Sequence, residues 1–223
     1  MPNLKDDPNT IVEQFYSDVL KETFAEYDNK HPRRYKQTLK HLLEYDIKDS
    51  VVCDMGCGSG FFLKRLDPSN RLIGIDGANI EDPSNIERRK YNLDYDRFGD
   101  DSKINDVDHM LCFETFEHLS NPYNFIFESK KMMKIGALFH ISYPAKDIQH
   151  NTFYPSLLWE TSNFTQFMEQ MAFTKKKEFK MRTSFGSVHF FVFENRPWDE
   201  VKMMWPKKGE QFKGQPPHVQ VNI

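Results

Sequence analysis

The chain has 223 residues, enough for one α/β domain with a short segment to spare. Hydrophobic residues make up 39%, yet Phe 20, Tyr 9 and Trp 3 supply bulk for a sizeable core. A net charge of −3 argues against a partner recognised by neutralising nucleic-acid phosphates, and neither a signal segment nor a run of membrane-spanning length is visible.

In chain order, Thr10-Ile11-Val12-Glu13 forms a capping box, and Ile11, Phe15 and Val19 with Tyr16, Leu20 and Phe24 then repeat at helical spacing. A second helix is expected from Pro32, a residue suited to a first helical turn, carrying Tyr35, Leu39, Leu42 and Leu43 to about Tyr45. Between them Tyr27 to Pro32 is a polar hinge. Two amphipathic helices ahead of the first strand stand outside a βα repeat. They predict an N-terminal helical cap over residues 1–48, packed over the end of the sheet that carries the glycine loop described next.

The stretch Val51 to Gly60 begins as a short run of β-formers and breaks into three alternating glycines, Gly56, Gly58 and Gly60, with Phe61 to Leu66 reading as the first turns of a helix. Glycine admits positive φ and close backbone approach, and a helix start offers unpaired N–H groups. The next strand, Leu72 to Asp76, ends in an acid twenty positions after Gly56, the separation at which a carboxylate reaches a ribose hydroxyl pair. The alternative for Asp76 is a plain Asp-Gly turn with Gly77. A dinucleotide fingerprint would need a third glycine where Phe61 stands. Asp54, two residues before Gly56, would repel a pyrophosphate and would suit a cationic ligand bearing an amino group and a sulfonium.

On Asp54-Met55-Gly56-Cys57-Gly58-Ser59-Gly60 with Asp76, the sequence resembles the class I S-adenosylmethionine-dependent methyltransferases, whose first motif is a strand running into D/E-x-G-x-G-x-G. The resemblance covers about Val51 to Glu194. It implies an α/β, Rossmann-like, mainly parallel seven-stranded sheet with helices on both faces and a terminal antiparallel strand. A third strand is expected before Asp94, a fourth over Val107 to Phe113, a fifth over Ala137 to Ser142, and two more over Thr174 to Met181 and Ser187 to Glu194. Val107 to Leu119 is similar to the family's fourth strand and its following E-H-L segment, with His109 in place of an apolar residue, a departure expected to weaken the strand edge. Helices fall around Phe125, Ile126, Met132 and Met133 and around Phe164, Phe167, Met168 and Met171. The core is thus set at 49–195, followed by an irregular tail at 196–223 holding Pro197, Pro206, Pro216 and Pro217.

The resemblance also implies roles. Gly56, Cys57, Gly58 and Gly60 would pass beneath the methionine part of S-adenosylmethionine, and Asp54 would take its amino group. Asp76, with Gly77 beside it, would accept from the ribose. In Asn92-Leu93-Asp94-Tyr95-Asp96, Leu93 and Asp94 would face the adenine, with Asp96 competing, while Phe113 and Glu114 would line the cofactor near its methyl group. For catalysis the candidates are His150, in the loop after the fifth strand, as a base for a hydroxyl, and His118, which with Glu117 alternatively orders the loop; Tyr16, His31 and Tyr143 are weaker pocket candidates.

Asn121-Pro122-Tyr123 differs in position from the N-P-P-Y motif of base and amide methyltransferases and reads as a helix start. The acceptor is therefore expected to be a small molecule methylated on oxygen or nitrogen, with a nucleic-acid substrate disfavoured. An RNA- or protein-modifying enzyme would use Arg33-Arg34, Arg88-Arg89-Lys90 and Lys175-Lys176-Lys177 as a docking surface, although solvated helix ends and strand edges explain these clusters too. A cofactor-binding pseudoenzyme is the third reading. Cys53, Cys57 and Cys112 fit reduced thiols in a cytoplasmic protein, with no zinc spacing and no metal called for. The sequence carries no signal for an oligomeric state.

Overall fold

A computed structural model describes residues 32–78, 85–145, 161–183 and 186–200. Its elements are α1 (Pro32–Leu43), β1 (Val51–Met55), β2 (Arg71–Asp76), β3 (Glu87–Lys90), β4 (Val107–Phe113), α2 (Pro122–Met132), β5 (Met133–Ala145), α3 (Thr161–Gln170), β6 (Phe173–Thr183) and β7 (Gly186–Asn195). The seven strands form one sheet in the order β3-β2-β1-β4-β5-β7-β6. β1 pairs parallel with β2 and β4, β2 with β3, and β4 with β5, while β7 runs antiparallel to both β5 and β6. The expected Rossmann-like architecture is therefore present, antiparallel strand included.

Because the central strands are buried on both faces, they read as near-continuous apolar runs. Successive side chains still alternate between the faces. Cys53, Met55, Ile73, Ile75, Met110, Phe139 and Ile141 pack with Phe125 and Ile126 of α2 and Phe164, Phe167 and Met168 of α3. On the other face, Val52, Leu72, Leu111, Phe113 and Phe190 pack with Tyr35 and Leu42 of α1. Helix α2 starts as the sequence predicts, with the Asn121 side chain accepting from Asn124 N–H and Pro122 at the first position.

Four sequence expectations are corrected. Helix α1 lies along a sheet face instead of standing over the loop end of the sheet; only its first turns approach the glycine loop, where the Tyr35 ring lies 4.7 Å from that of Phe61. The helix expected from Phe61 to Leu66 is reduced to turns and a short 3-10 segment, Leu63–Arg65, closed by Leu66 in an extended conformation. Pro68 biases Asp67 away from the α region, and Asp67 then closes a turn by accepting from Ser69 N–H, so too little chain is left for an α-helix. β5 is longer than expected because three residues, Lys134 to Gly136, are looped out against β4 with Gly136 at φ +85°; its pairing shifts from Val107↔Met133 to His109↔Leu138. His109 does not weaken an edge: β4 is central, and His109 Nδ1 lies 3.2 Å from His140 Nε2 on β5.

The first cap helix with Tyr16, His31, the loop holding His150, and residues 201–223 lie outside the described residues. Within the expected tail, Trp198–Glu200 form a 3-10 turn. Cys53, Cys57 and Cys112 are buried free thiols, and no helix among the described residues is long and apolar enough to cross a membrane.

Candidate cofactor site

The strand order reverses direction between β1 and β4: the chain moves outward from β1 through β2 to β3, then returns to begin β4 beside β1. In open α/β sheets the crevice at the carboxyl ends of the strands flanking this switch is where ligands bind. The glycine loop after β1 and the Glu114–His118 segment after β4 form its two walls. They touch: a Cβ on Gly56, which sits at φ +73°, would fall 2.3 Å from Thr115 Oγ1. Glycine at this position is thus required by both backbone conformation and contact.

Hydrogen bonds fix the loop from several sides. Gly56 and Cys57 N–H donate to Ile75 O, and Gly60 N–H donates to Cys57 O. Gly58 N–H donates to Asp76 Oδ2 at 2.9 Å, while Ala78 N–H donates to Asp76 Oδ1. Gly58 O accepts from Arg88 Nη1 at 2.7 Å, and the same nitrogen lies 2.9 Å from Cys57 Sγ. Gly58 is therefore held between a carboxylate on β2 and a guanidinium on β3.

Arg88 was expected to be part of a solvated basic cluster, and the structure corrects this: it reaches beneath the loop. The signal in the sequence was Gly74, a glycine inside a strand. It is paired in register with Arg88, and a Cβ there would fall 2.8 Å from Cys57 Sγ. Thr115 and Ser142 are further site residues that sequence reasoning missed; neither carries a motif.

Asp54, Gly74 and Asp76 alternate onto the same face, so two carboxylates share this corner with Arg88. Asp54 is only 3% exposed. Burial first, and Asp76 second, push its carboxyl up to about 7, with Arg88 opposing. Burial also raises Asp76, against its backbone hydrogen bonds and Arg88. Burial and the two carboxylates hold the Cys57 thiol well above the usual range, so it is an unreactive packing residue.

This corner discriminates between cofactors. A phosphate-binding loop needs backbone N–H groups aimed at the ligand. Here those of Gly56, Cys57, Gly58 and Gly60 are all donated to protein oxygens, the expected helix N-terminus is missing, and two carboxylates add negative potential. A pyrophosphate does not fit. A ligand that presents a cationic amine and hydroxyl donors suits it better, because the Asp76 carboxylate, held by the N–H groups of Gly58, Ala78 and Gly77, is an acceptor with up to four lone-pair sites beside the buried Asp54 carboxyl.

The other sequence-predicted residues are distributed along the same edge. Gly77 follows Asp76, and among the described residues a Cβ there would meet only Tyr91 O, at an ordinary 3.8 Å. Leu93 is buried in the core. Asp94 Oδ1 accepts from Asn121 N–H at 2.8 Å, tying the segment after β3 to the start of α2. Asp96, the competitor, is exposed and accepts from Asn92 N–H to close its own turn. Phe113 packs edge-on against Phe62. Glu114 leaves β4 at φ +54°, with its N–H on Ser142 O and Oε1 accepting from Ser142 Oγ at 3.0 Å. His118 sits in the Phe116–His118 turn with Nε2 3.9 Å from Glu117 Oε1, and Glu117 is buried. The Tyr143 side chain is buried, and its hydroxyl has no hydrogen-bond partner among the described residues. No group of three or more potential metal ligands occurs among the described residues.

A Rossmann-like sheet in this strand order, with D-x-G-x-G-x-G leaving β1 and an acid closing β2, defines a class I S-adenosylmethionine-dependent methyltransferase. Residues 27–198 match a family model described as a methyltransferase domain, and the chain belongs to that family. No curated protein matches it. Among solved structures, it is similar to a chain of the Haloferax volcanii complex between the Trm112 methyltransferase activator and a methyltransferase, at 17% identity and TM-score 0.63 over 83% of this chain and 98% of that one. It is similar to magnesium protoporphyrin IX methyltransferase from Synechocystis with bound S-adenosylmethionine, at 15% identity and TM-score 0.62 over 87% and 100%. A third is 1,6-didemethyltoxoflavin-N1-methyltransferase from Burkholderia thailandensis, at 13% identity and TM-score 0.60 over 88% and 94%. The protein is an enzyme of this class, and S-adenosylmethionine is its cofactor.

Proposed function

We propose that the protein transfers a methyl group from S-adenosylmethionine to a small-molecule acceptor, on oxygen or nitrogen. The cofactor would lie across the switch between β1 and β4. Asp54 would pair with its amino group, Gly56 to Gly60 would pass beneath the methionine part, and Asp76 would accept from the ribose hydroxyls. Leu93 and Asp94 would face the adenine. The observation that carries the reading is the clamped glycine loop, in which the N–H groups of Gly56, Cys57, Gly58 and Gly60 are donated to protein oxygens while Asp54 and Asp76 flank it.

The bound sulfonium supplies an activated methyl carbon. The protein's part is then to hold an acceptor in line and exclude water, which supplies on the order of 7–11 kcal/mol where alignment is close. His150 is proposed as a base for a hydroxyl acceptor, and His118 beside buried Glu117 as a second candidate. Two solved structures of similar fold carry names that specify small-molecule acceptors, which supports the same class here.

The basic clusters oppose a nucleic-acid docking role. β3 and β6 are opposite edges of the sheet, so Arg88 to Lys90 and Lys175 to Lys177 do not share one surface. Lys175, Lys176 and Lys177 are paired with Glu178, Glu194 and Glu44. The likeness to a chain solved with a methyltransferase activator supports a second reading, in which a partner protein assists the enzyme. The test uses methyl-labelled S-adenosylmethionine and a cell extract separated into metabolite, RNA and protein fractions. Label is expected in the metabolite fraction; label confined to RNA or protein would overturn the small-molecule assignment.

A further inference from the structure

Six large hydrophobic side chains are exposed among the described residues, and four of them form one aromatic stripe along the outer face of α2: Tyr95, Tyr123, Phe127 and Trp198, at 56, 61, 47 and 47% exposure. Tyr123 and Phe127 stand one helical turn apart on α2. Just ahead of the helix the Tyr95 hydroxyl lies 3.2 Å from Ser120 Oγ, and further along the Trp198 ring lies 6.3 Å from that of Phe127. Exposed apolar patches of this kind mark interaction surfaces. The chain after β7 starts from this stripe. Lys130 Nζ donates to Ala172 O, Asn195 Oδ1 and Arg196 O and stands 4.9 Å over the Trp198 ring, which pins that chain against α2. Residues 201–223 lie outside the described residues, and their sequence continues Trp198-Asp199-Glu200 with Val201-Lys202-Met203-Met204-Trp205-Pro206. A helix carried on from the Trp198–Glu200 turn would place Trp198, Val201 and Trp205 on one face, with Pro206 to end it. Those seven steps rise about 10 Å, enough to pass Phe127 and reach Tyr123, about 6 Å further along α2.

We propose that residues 201–205 dock as a helical strap on the stripe of Tyr95, Tyr123 and Phe127, and that docking steadies the segment which would face the adenine. A segment tethered beside Trp198 is favoured over a free partner, because a short tether makes docking intramolecular, at an effective concentration on the order of millimolar. Val201, Met204 and Trp205 supply the apolar and aromatic area that the stripe lacks. The link to the cofactor runs through the start of α2. Asp94 Oδ1 accepts from Asn121 N–H at 2.8 Å and Asn124 Nδ2 donates to Asp96 O, so the segment carrying Tyr95 is tied to the helix. Holding Tyr95 under the strap restricts that segment, and by reciprocity a ligand that fixes Asp94 strengthens the strap. This coupling rests on the cofactor placement given under Proposed function; the docking itself does not.

Hydrogen exchange on the full chain tests both parts. In the wild type the amides of residues 203–205 are expected to exchange at least about tenfold more slowly than unstructured chain. Tyr123→Ser and Phe127→Ser, at exposed positions, should abolish that protection with exchange in β4 and β5 unchanged. Leu43→Ser, exposed on α1, should leave it intact. Wild-type amides at unstructured rates, or protection that survives in both stripe variants, overturn the docking. Protection that appears only as the protein dimerises at higher concentration assigns the stripe to a second copy and also overturns it. Saturating S-adenosylhomocysteine should slow exchange at 203–205 severalfold further; bound ligand with no such effect overturns the coupling. Absence of S-adenosylhomocysteine binding would instead remove the cofactor placement and the coupling with it, while the exchange pattern still decides the docking.

Discussion

Gly56 and Asp54 carry opposite kinds of information about the site, one steric and one electrostatic. A methyl group on Gly56 would enter the Thr115 side chain and force φ +73° on an L-residue, so Gly56→Ala is expected to lower S-adenosylhomocysteine affinity by about 1–3 kcal/mol. Adding Thr115→Ala should restore part of it, since the two sites share one contact; strict additivity in calorimetric binding would show that they do not couple. Removing the Asp76 carboxylate should cost about 1–3 kcal/mol of cofactor binding, the usual penalty for stranding partly buried partners. Asp54 makes a pH prediction. Its carboxyl is raised to about 7, above its ordinary value, so its contribution to the free protein is full below about pH 4 and is lost as pH rises through about 7. Pairing with a cationic amine would ionise it, so cofactor binding near pH 6.5 should release up to one proton. Binding heats in two buffers of different ionisation enthalpy measure this; the release should vanish in Asp54→Asn.

Helix α1 joins the sheet through a row of histidines. His41 on α1, His140 on β5 and His109 on β4 are linked by ring-nitrogen separations of 3.5 and 3.2 Å. Lys177 on β6, Glu44 just after α1, and Asp108 on β4 are the charged groups around them. Burial lowers all three, His41 to about 4, with Lys177 lowering His41 further and Glu44 opposing. In the window from about pH 6.5 down to 4 the unfolded chain binds protons that the folded chain refuses. The stability these histidines contribute is complete above pH 6.5 and falls as the solution is acidified. Asp54 and Asp76 act in the opposite direction over the same window, so the histidines are isolated by comparison: between pH 7 and about pH 5 the urea midpoint of His41→Leu should lose less, or gain more, than that of the wild type. None of this row was legible beforehand, because His41, His109 and His140 lie far apart in the chain and meet only through sheet register and the seating of α1. The glycine loop was legible because its chemistry is local: seven consecutive residues hold the spacing. The helix after it was misread because Phe61 to Leu66 has a helical pattern, while the turn at Asp67-Pro68-Ser69 truncates it.

At the scale of the molecule, strand order does what no single motif can. It sets the ends of β1 and β4 side by side, and so assembles Gly56, Thr115, Glu114 and Ser142 from three separate parts of the chain. Runs of β-formers made β1, β2, β4 and β5 readable, and Asp54, Asp76 and Glu114 with them, whereas β3, Glu87–Lys90, has no such run and is expected only as a strand before Asp94. The clamp from Arg88 was not, since a basic residue on a short edge strand has the same pattern whether it faces solvent or a loop. Arg88→Met should weaken S-adenosylhomocysteine binding about tenfold with a smaller change in Tm, as expected for loss of a charge-assisted hydrogen bond that holds the loop in place. Arg89→Met, which breaks contacts to Glu87 and Asp101 instead, should leave binding unchanged. The most direct measurement is calorimetric titration of the wild type and Gly58→Val with S-adenosylmethionine, S-adenosylhomocysteine and NAD. The account predicts micromolar binding of both adenosyl sulfur compounds to the wild type, none of NAD, and loss of all binding in a folded Gly58→Val protein. Binding of NAD, or undiminished S-adenosylhomocysteine affinity in Gly58→Val, would contradict the placement of the cofactor on the glycine loop.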